Sequence, residues 1–372
     1  MKKILMGSTA LVAATAVTSG AVEAGETSLD ISGYNYASYG LVSRDGANDI
    51  ANGNDLYTNG EIHFNASTTL DSGLTISYKV EMETEVGNNN GTIDENVLTL
   101  SDSWGTVNIG GDELPTTKMH VTGAMYTGWH GINTNTITPY VGFSTSYGVT
   151  SEFHAAFMNT YGTFGHNDSD QVSYYSPRFS GLQIGVGYAP DNKQNDGQVA
   201  SQAISDTVSV ALNYSTEMSG VGIAASAGYI THGDAGVGAA GNDDAELYNF
   251  GLQLSTGGFT AGVSYATADG DDGPTGSITN GTVESETITA GLKYSSGPYT
   301  VGVAYVTGEA EGTTANTADD EGDRAMVSLA YSLGGGATWD AHVLWSDMEG
   351  EDTGDADDIE AVGFITGIAV SF

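Results

Sequence analysis

Cysteine is absent from this chain, and proline is scarce, with 6 in 372 residues. Without cysteine there is no disulfide scaffold, the usual staple of exported small domains. Basic residues are also few: 9 Lys and Arg stand against 47 Asp and Glu, a formal net charge of -38. Phosphate contacts need clustered lysine and arginine, so nucleic acid is excluded as a partner. A chain so acidic repels anions and draws cations. Long apolar runs are missing beyond the N-terminus, and mean hydropathy is only -0.15. No segment there is long enough to cross a bilayer as a helix.

The N-terminus has a different logic. Met1-Lys2-Lys3 is a short basic start, Ile4 to Val17 is apolar and small, and Val22-Glu23-Ala24 has the form of a small-residue cleavage site. This reads as a secretory signal peptide over residues 1–24, leaving 25–372 as one β-barrel domain.

What is abundant is glycine, with 53, and tyrosine, with 20. They sit in segments that alternate with period two. Leu74, Ile76, Tyr78, Val80 and Met82 share one face of a strand, and Lys79, Glu81 and Glu83 the other. Leu182, Ile184, Val186 and Tyr188 oppose Gln183, Gly185 and Gly187. Tyr248, Phe250, Leu252 and Leu254 oppose Asn249, Gly251 and Gln253. Trp339, Ala341, Val343 and Trp345 carry tryptophan at both ends of one face. In a soluble sandwich the second face would be charged and solvated. Here it is Gly, Ala, Ser, Asn, Gln and Thr, as suits a crowded or watery barrel interior. Tyrosines gather at strand ends, as in membrane-interface belts.

Connections alternate short and long. Asp71-Ser72-Gly73, Thr256-Gly257-Gly258 and Gly334-Gly335-Gly336 have tight-turn chemistry. Polar, Asp/Asn/Gly-rich stretches near 42–55, 191–205, 231–244, 269–282, 309–322 and 349–358 are loops. The reading is all-β: a transmembrane antiparallel up-and-down β-barrel of about 16 strands. The segment 112–168 is too long for an ordinary connection. Either it folds into the lumen, which is favoured, or Tyr140 to Ser146 and Val149 to Phe157 add a hairpin, giving about 18 strands. The last strand, Val362 to Phe372, alternates up to a terminal phenylalanine. Exposed on a soluble protein it would be an aggregation hazard; it makes sense as a closing strand that faces lipid.

The chain resembles the Gram-negative porins, in particular those of alphaproteobacteria. Val172-Ser173-Tyr174-Tyr175-Ser176-Pro177-Arg178-Phe179-Ser180-Gly181-Leu182 is similar to the family's strand–SPxFxGL–strand hairpin. Trp104-Gly105-Thr106-Val107-Asn108-Ile109-Gly110 is similar to the strand leading into its third loop, and the closing strand ends on the family's phenylalanine. The resemblance implies a trimer of 16-stranded barrels in the outer membrane, with the third loop, roughly Gly111 to Asp170, folded inside. The family often has a basic residue after the leading strand, where this chain has Gly111-Asp112-Glu113.

The expected function is a water-filled outer-membrane channel for passive diffusion of small hydrophilic solutes and ions. No nucleophile elbow, phosphate loop or zinc spacing is found, so no enzyme is expected. Glu61, Glu81, Glu83, Asp112 and Glu113 are expected to line or approach the constriction, with Lys79 and Lys118 as opposing charges and His63 as a lone polar lumen residue. A ring of acids favours cations. Tyr126, Trp129 and Tyr140 in the long loop are candidate stacking aromatics for a substrate-specific channel, although packing of the loop suits them better. A non-channel barrel or a secreted β protein is a further alternative. No cofactor is expected, save that Asp271, Asp272, Asp319 and Asp320 are weak candidates for calcium in acidic loops, from where an ion could bridge to lipopolysaccharide.

Overall fold

A computed structural model describes residues 25–46, 53–84, 93–133, 137, 140, 160–161, 168–191, 194, 204–234, 245–269, 284–310, 319–349 and 359–372. The expected signal segment and the acidic pair Asp271 and Asp272 lie outside them. Sixteen strands follow in order: β1 (Thr27–Gly46), β2 (Asn54–Thr69), β3 (Thr75–Glu83), β4 (Ile93–Asp102), β5 (Gly105–Gly111), β6 (Asp170–Tyr175), β7 (Leu182–Asp191), β8 (Ile204–Met218), β9 (Val221–Asp234), β10 (Ala245–Thr256), β11 (Phe259–Asp269), β12 (Ser285–Ser296), β13 (Tyr299–Ala310), β14 (Asp320–Gly334), β15 (Ala337–Glu349) and β16 (Ile359–Ser371). One helical turn, α1 (Pro115–Lys118), opens the third loop. Among the described residues no helix is long and apolar enough to cross a membrane.

Every strand pairs antiparallel with its sequence neighbours, and β1 pairs with β16, closing the barrel. The seam runs to the last residue: Phe372 and Gly33 exchange two backbone hydrogen bonds of 3.0 Å. Closure satisfies the backbone without an edge, which is what a hydrocarbon environment demands. Direct pairing of β5 with β6 leaves no place in the wall for an added hairpin, so the barrel has 16 strands and not 18. The segments proposed for that hairpin fall largely outside the described residues.

The outward face carries the apolar side chains named from the alternation. Phe250, Leu252, Leu254, Val263, Leu292, Val301 and Val303 are all exposed on the barrel's exterior. Each such side chain gains about 1.5–3 kcal/mol on leaving water for lipid. The tight turns use left-handed backbone where glycine is free to adopt it: Gly257 and Gly258 stand at φ 57° and 91°, the two-residue geometry that matches strand twist.

The strands reach further than the sequence reading placed them. β1 continues to Gly46, and β14 starts at Asp320, which pairs with Ala310. Residues read as loop, such as Glu309 and Glu321, are opposed across β13 and β14. A rim beyond the hydrocarbon can be both β and acidic, which composition alone reports as loop. Asp320 is therefore a strand residue, and Asp319 is exposed beside it.

Candidate functional site: the lumen and its acidic wall

The inner surface divides into two parts. Along β7 and β15 burial alternates residue by residue, so inner side chains are covered. Along β2 from Glu61 onward, and over most of β3, both faces are partly exposed. Something fills the lumen against the far wall and leaves the β2–β4 wall open to water.

That filler is the third loop. Its backbone N–H groups donate to wall side chains in succession: Thr116 to Ser209 Oγ at 3.3 Å on β8, Val121 to Ser226 Oγ at 2.8 Å on β9, Gly123 to Ser264 Oγ at 2.7 Å on β11, Thr127 to Ser328 Oγ at 2.9 Å on β14, and Trp129 to Asp340 Oδ2 at 2.9 Å on β15. Wall amides return the contact: Asn213 donates to the Met119 carbonyl at 2.9 Å, and Gln253 to that of Thr122 at 2.8 Å. Unpaired backbone groups are costly when buried, so these serine and amide side chains answer the loop's backbone donors and acceptors. Glycines let it lie close. A Cβ on Gly251 would collide with the Val121 carbonyl oxygen, and one on Gly291 would sit 2.7 Å from Met125 N. The small polar inner face is thus a seat for the loop over most of the circumference, rather than a water boundary.

The loop closes a core of its own. Ile132, Ile137 and Tyr140 pack with Val306, Met326, Leu344, Met348 and Ile365 of the wall, with Tyr126 against them. Tyr140 and Ser38 hydroxyls lie 2.7 Å apart. Trp129 stacks on Tyr34 at 4.5 Å and on Tyr36 at 5.2 Å between ring centroids. Arg44 and Arg324 point inward but are buried, and Arg324 donates to the Ile132 carbonyl at 3.4 Å.

Opposite this packing stands the acidic wall. Register places Glu61 across from Glu83, and His63 across from Glu81. Lys79 Nζ reaches Glu81 Oε1 at 2.6 Å and Glu95 Oε2 at 2.7 Å. His63 Nε2 lies 2.8 Å from Glu61 Oε2 and 3.7 Å from Glu81 Oε1. The Tyr34 hydroxyl donates to Glu61 Oε1 at 2.7 Å. A β-bulge opposite Glu81 sets Asp94 and Glu95 against one residue of β3, so both acids turn lumenward. Asp94 then gathers with Glu61 and Glu83. Of the five carboxylates on this wall, Glu81 and Glu95 hold the Lys79 ammonium, and Glu61, Glu83 and Asp94 form a separate group.

A family model described as Gram-negative porin matches residues 7–351. The chain belongs to the Gram-negative porin family. It is an outer-membrane β-barrel, crossing the membrane with its strands. Among solved structures, the porin is similar to OmpT of Vibrio cholerae in its trimer form, at 14% identity and TM-score 0.63, covering 93% of this chain and 99% of that one. It is similar to the anion-selective porin from Comamonas acidovorans at 17% identity and TM-score 0.63, covering 93% and 100%. A mutant of the Rh. blastica porin follows at 15% identity and TM-score 0.58, covering 93% and 100%. No curated protein sequence matches.

Of the residues expected at the constriction, the porin brings Glu61, His63, Lys79, Glu81 and Glu83 together on β2 and β3. His63 is not alone there, since two glutamates flank it. Asp112 is the correction: it is fully buried, takes the Lys118 ammonium and a 2.9 Å bond from Asn108 Nδ2, and cannot line the channel. The pair anchors the root of the loop, because a buried carboxylate needs a partner. Lys118 is spent on that task. Glu113 is partly buried beside it. Burial, then the nearby Glu95 carboxylate, pushes its carboxyl up to about 7. Asp168, at the loop's return, rises to about 8 through burial and then Asp94. Asp94, Glu95 and Asp168 were missed in the sequence. Tyr126 and Tyr140 pack in the loop core, and Trp129 stacks on Tyr34 and Tyr36 of β1.

Lys79 holds the wall's charge together. Changing Lys79→Met is expected to lower stability by roughly 2 kcal/mol, between the exposed and buried limits for ion pairs. The added change Glu95→Gln should recover part of that loss. Thermal melting of the detergent-folded barrel, read as a double-mutant cycle, checks this; additive losses would count against the pairing.

Proposed function

We propose that this porin passes small hydrophilic solutes and ions by passive diffusion, prefers cations, performs no catalysis, and works as a homotrimer in contact with lipid and lipopolysaccharide. One observation supports the cation preference: the open stretch of the lumen is bordered by Glu61, Glu81, Glu83 and Asp94, while Lys79 is held between Glu81 and the buried Glu95. Arg44 and Arg324 are buried, so neither gives the pathway an exposed cation. Acids along a narrow wet passage concentrate cations and repel anions. The trimer reading is supported by the fold shared with a barrel described in trimer form.

Reversal potential across a planar bilayer in a potassium chloride gradient is expected to show cation selectivity. Its pH dependence follows from Glu113 and Asp168. Both carboxyls are raised to about 7 and 8, so they are largely protonated at pH 6 and charged at pH 9. Cation preference therefore grows as pH rises across that window. Ionising these acids in the folded barrel also costs free energy, so melting temperature falls as pH rises from the ordinary carboxylate range to about 8 and levels off above it. Anion selectivity at pH 9 would refute the reading.

A second reading is a substrate-specific channel, favoured by the Tyr34–Trp129–Tyr36 stack beside Glu61. Liposome swelling with sugars of graded size separates the two. A smooth size cut-off supports general diffusion, and one saturable outlier supports specificity.

A further inference from the structure

We propose that Glu61, His63 and Glu81 form a binding site for a transition-metal dication of the zinc class, and that its occupancy throttles the channel. The inference rests on the reading of this face as pore wall.

The sheet supplies the geometry. Glu61 and His63 are two residues apart on β2 and project to the same side. Glu81 is the direct cross-strand partner of His63 on β3. One ligand atom from each lies within 4.8 Å of the others. All three side chains are partly exposed, so an ion reaches them from the water column. One imidazole nitrogen and two carboxylate oxygens, with water in a fourth position, make a zinc-type donor set. Calcium and magnesium call for six or more oxygens or a hydrated shell, so His63 is the residue that discriminates. Transition dications gain from imidazole in a way those hard ions do not.

The surrounding groups are arranged to hold such ligands. Tyr34 fixes one oxygen of Glu61 by its 2.7 Å hydrogen bond and leaves Oε2 facing His63. Lys79 contacts Glu81 but also Glu95, so its ammonium keeps a carboxylate when Glu81 turns to a metal. Outer groups of this kind orient ligands and tune affinity. In neutral His63 the Nε2 hydrogen, where present, points at Glu61. A metal takes the Nε2 lone pair, and the ring then carries its hydrogen on Nδ1. The dication also cancels two of the charges that favour cations, so conductance and selectivity fall together.

The experiment is single-channel recording of the full barrel in planar bilayers, comparing conductance with and without zinc. Expected is a block in the micromolar range, reversed by a chelator, and absent with calcium at the same concentration. His63→Gln should weaken the block by roughly tenfold or more, whereas His63→Cys, which offers a thiolate, should retain it. An equal block in His63→Gln, or equal block by calcium, overturns the proposal. So does a block lost in Glu83→Gln but kept in His63→Gln, which would place the ion in the neighbouring all-oxygen group of Glu61, Glu83 and Asp94. A conducting channel that zinc leaves untouched sinks the site alone. If no conductance steps appear, the pore reading falls, and cobalt added to detergent-folded protein decides the site. Visible absorption of imidazole-bound cobalt that His63→Gln abolishes supports it, and absorption unchanged by that variant refutes it. If that variant does not fold, copper paramagnetic resonance of the unaltered barrel decides. Coupling to one nitrogen supports the site, and its absence removes it.

Discussion

Replacing Glu83 and Asp94 together by lysine is expected to reverse the proposed cation preference and leave an anion-selective channel. The two carboxylates converge with that of Glu61 on the open wall. Each exchange moves the local charge by two units, so the group of Glu61, Glu83 and Asp94 goes from -3 to +1. Inside a water-filled protein passage the effective dielectric is below that of bulk water. Charges a few ångströms from the ion path then weigh about 1–4 kcal/mol each. That is enough to invert a permeability ratio, since 1.4 kcal/mol is a factor of about ten. The measurement is the sign of the reversal potential at low salt, where screening is weakest. The same pair of substitutions placed on the rim, at Glu309 and Glu321, should leave the sign alone. If the rim pair inverts it and the wall pair does not, selectivity resides at the mouth and the assignment of the filter is wrong.

The second large effect concerns the seat of the loop. Gly251→Val on β10 would drive a side chain into the Val121 carbonyl, where even a methyl has no room. Overpacking of this kind costs about 1–3 kcal/mol when the structure can shift to absorb it. Here the strand is locked into the wall by its two neighbours, so the loop is the part that yields. Its hydrogen bond from Val121 N to Ser226, and the one from Gln253 to Thr122, would be lost together. The expected outcome is a raised conductance step with broader fluctuations, and a lower melting temperature. Leu252→Val, one residue on and facing lipid, should change neither. Unaltered conductance in Gly251→Val would mean that the loop does not rest where the wall serines and glycines receive it.

These expectations mark where the sequence was legible. Outward alternation such as Leu182, Ile184, Val186 and Tyr188 is set by hydrocarbon, a uniform solvent, so period two survives intact and the strands could be counted. Tight turns were readable because left-handed backbone calls for glycine, as at Gly257 and Gly258. Glu61, His63, Lys79, Glu81 and Glu83 emerged as one lumen group because each sits at the inward parity of its strand. Asp94 and Glu95 did not, because a bulge breaks parity: two consecutive residues face the same way, and Ile93-Asp94-Glu95-Asn96 has the composition of a loop end. Asp112 was misread for the opposite reason. Its sequence neighbourhood is acidic and open, while its burial comes from Lys118, Asn108 and Gln171, the last brought from β6 across 59 residues. The meaning of Ser209, Ser226, Ser264 and Ser328 was hidden as well. A serine that faces water and one that receives a backbone amide look alike until the loop is laid against them.

The way the wall grips that loop has an evolutionary corollary. Its bonds at Val121, Thr127 and Trp129 run from main-chain nitrogen, which every amino acid but proline possesses. Mutation can therefore rewrite the side chains at these positions without undoing the clasp. Side chains there can vary while the scaffold stays assembled, and a laboratory library at positions 127 and 129 should yield mostly intact barrels.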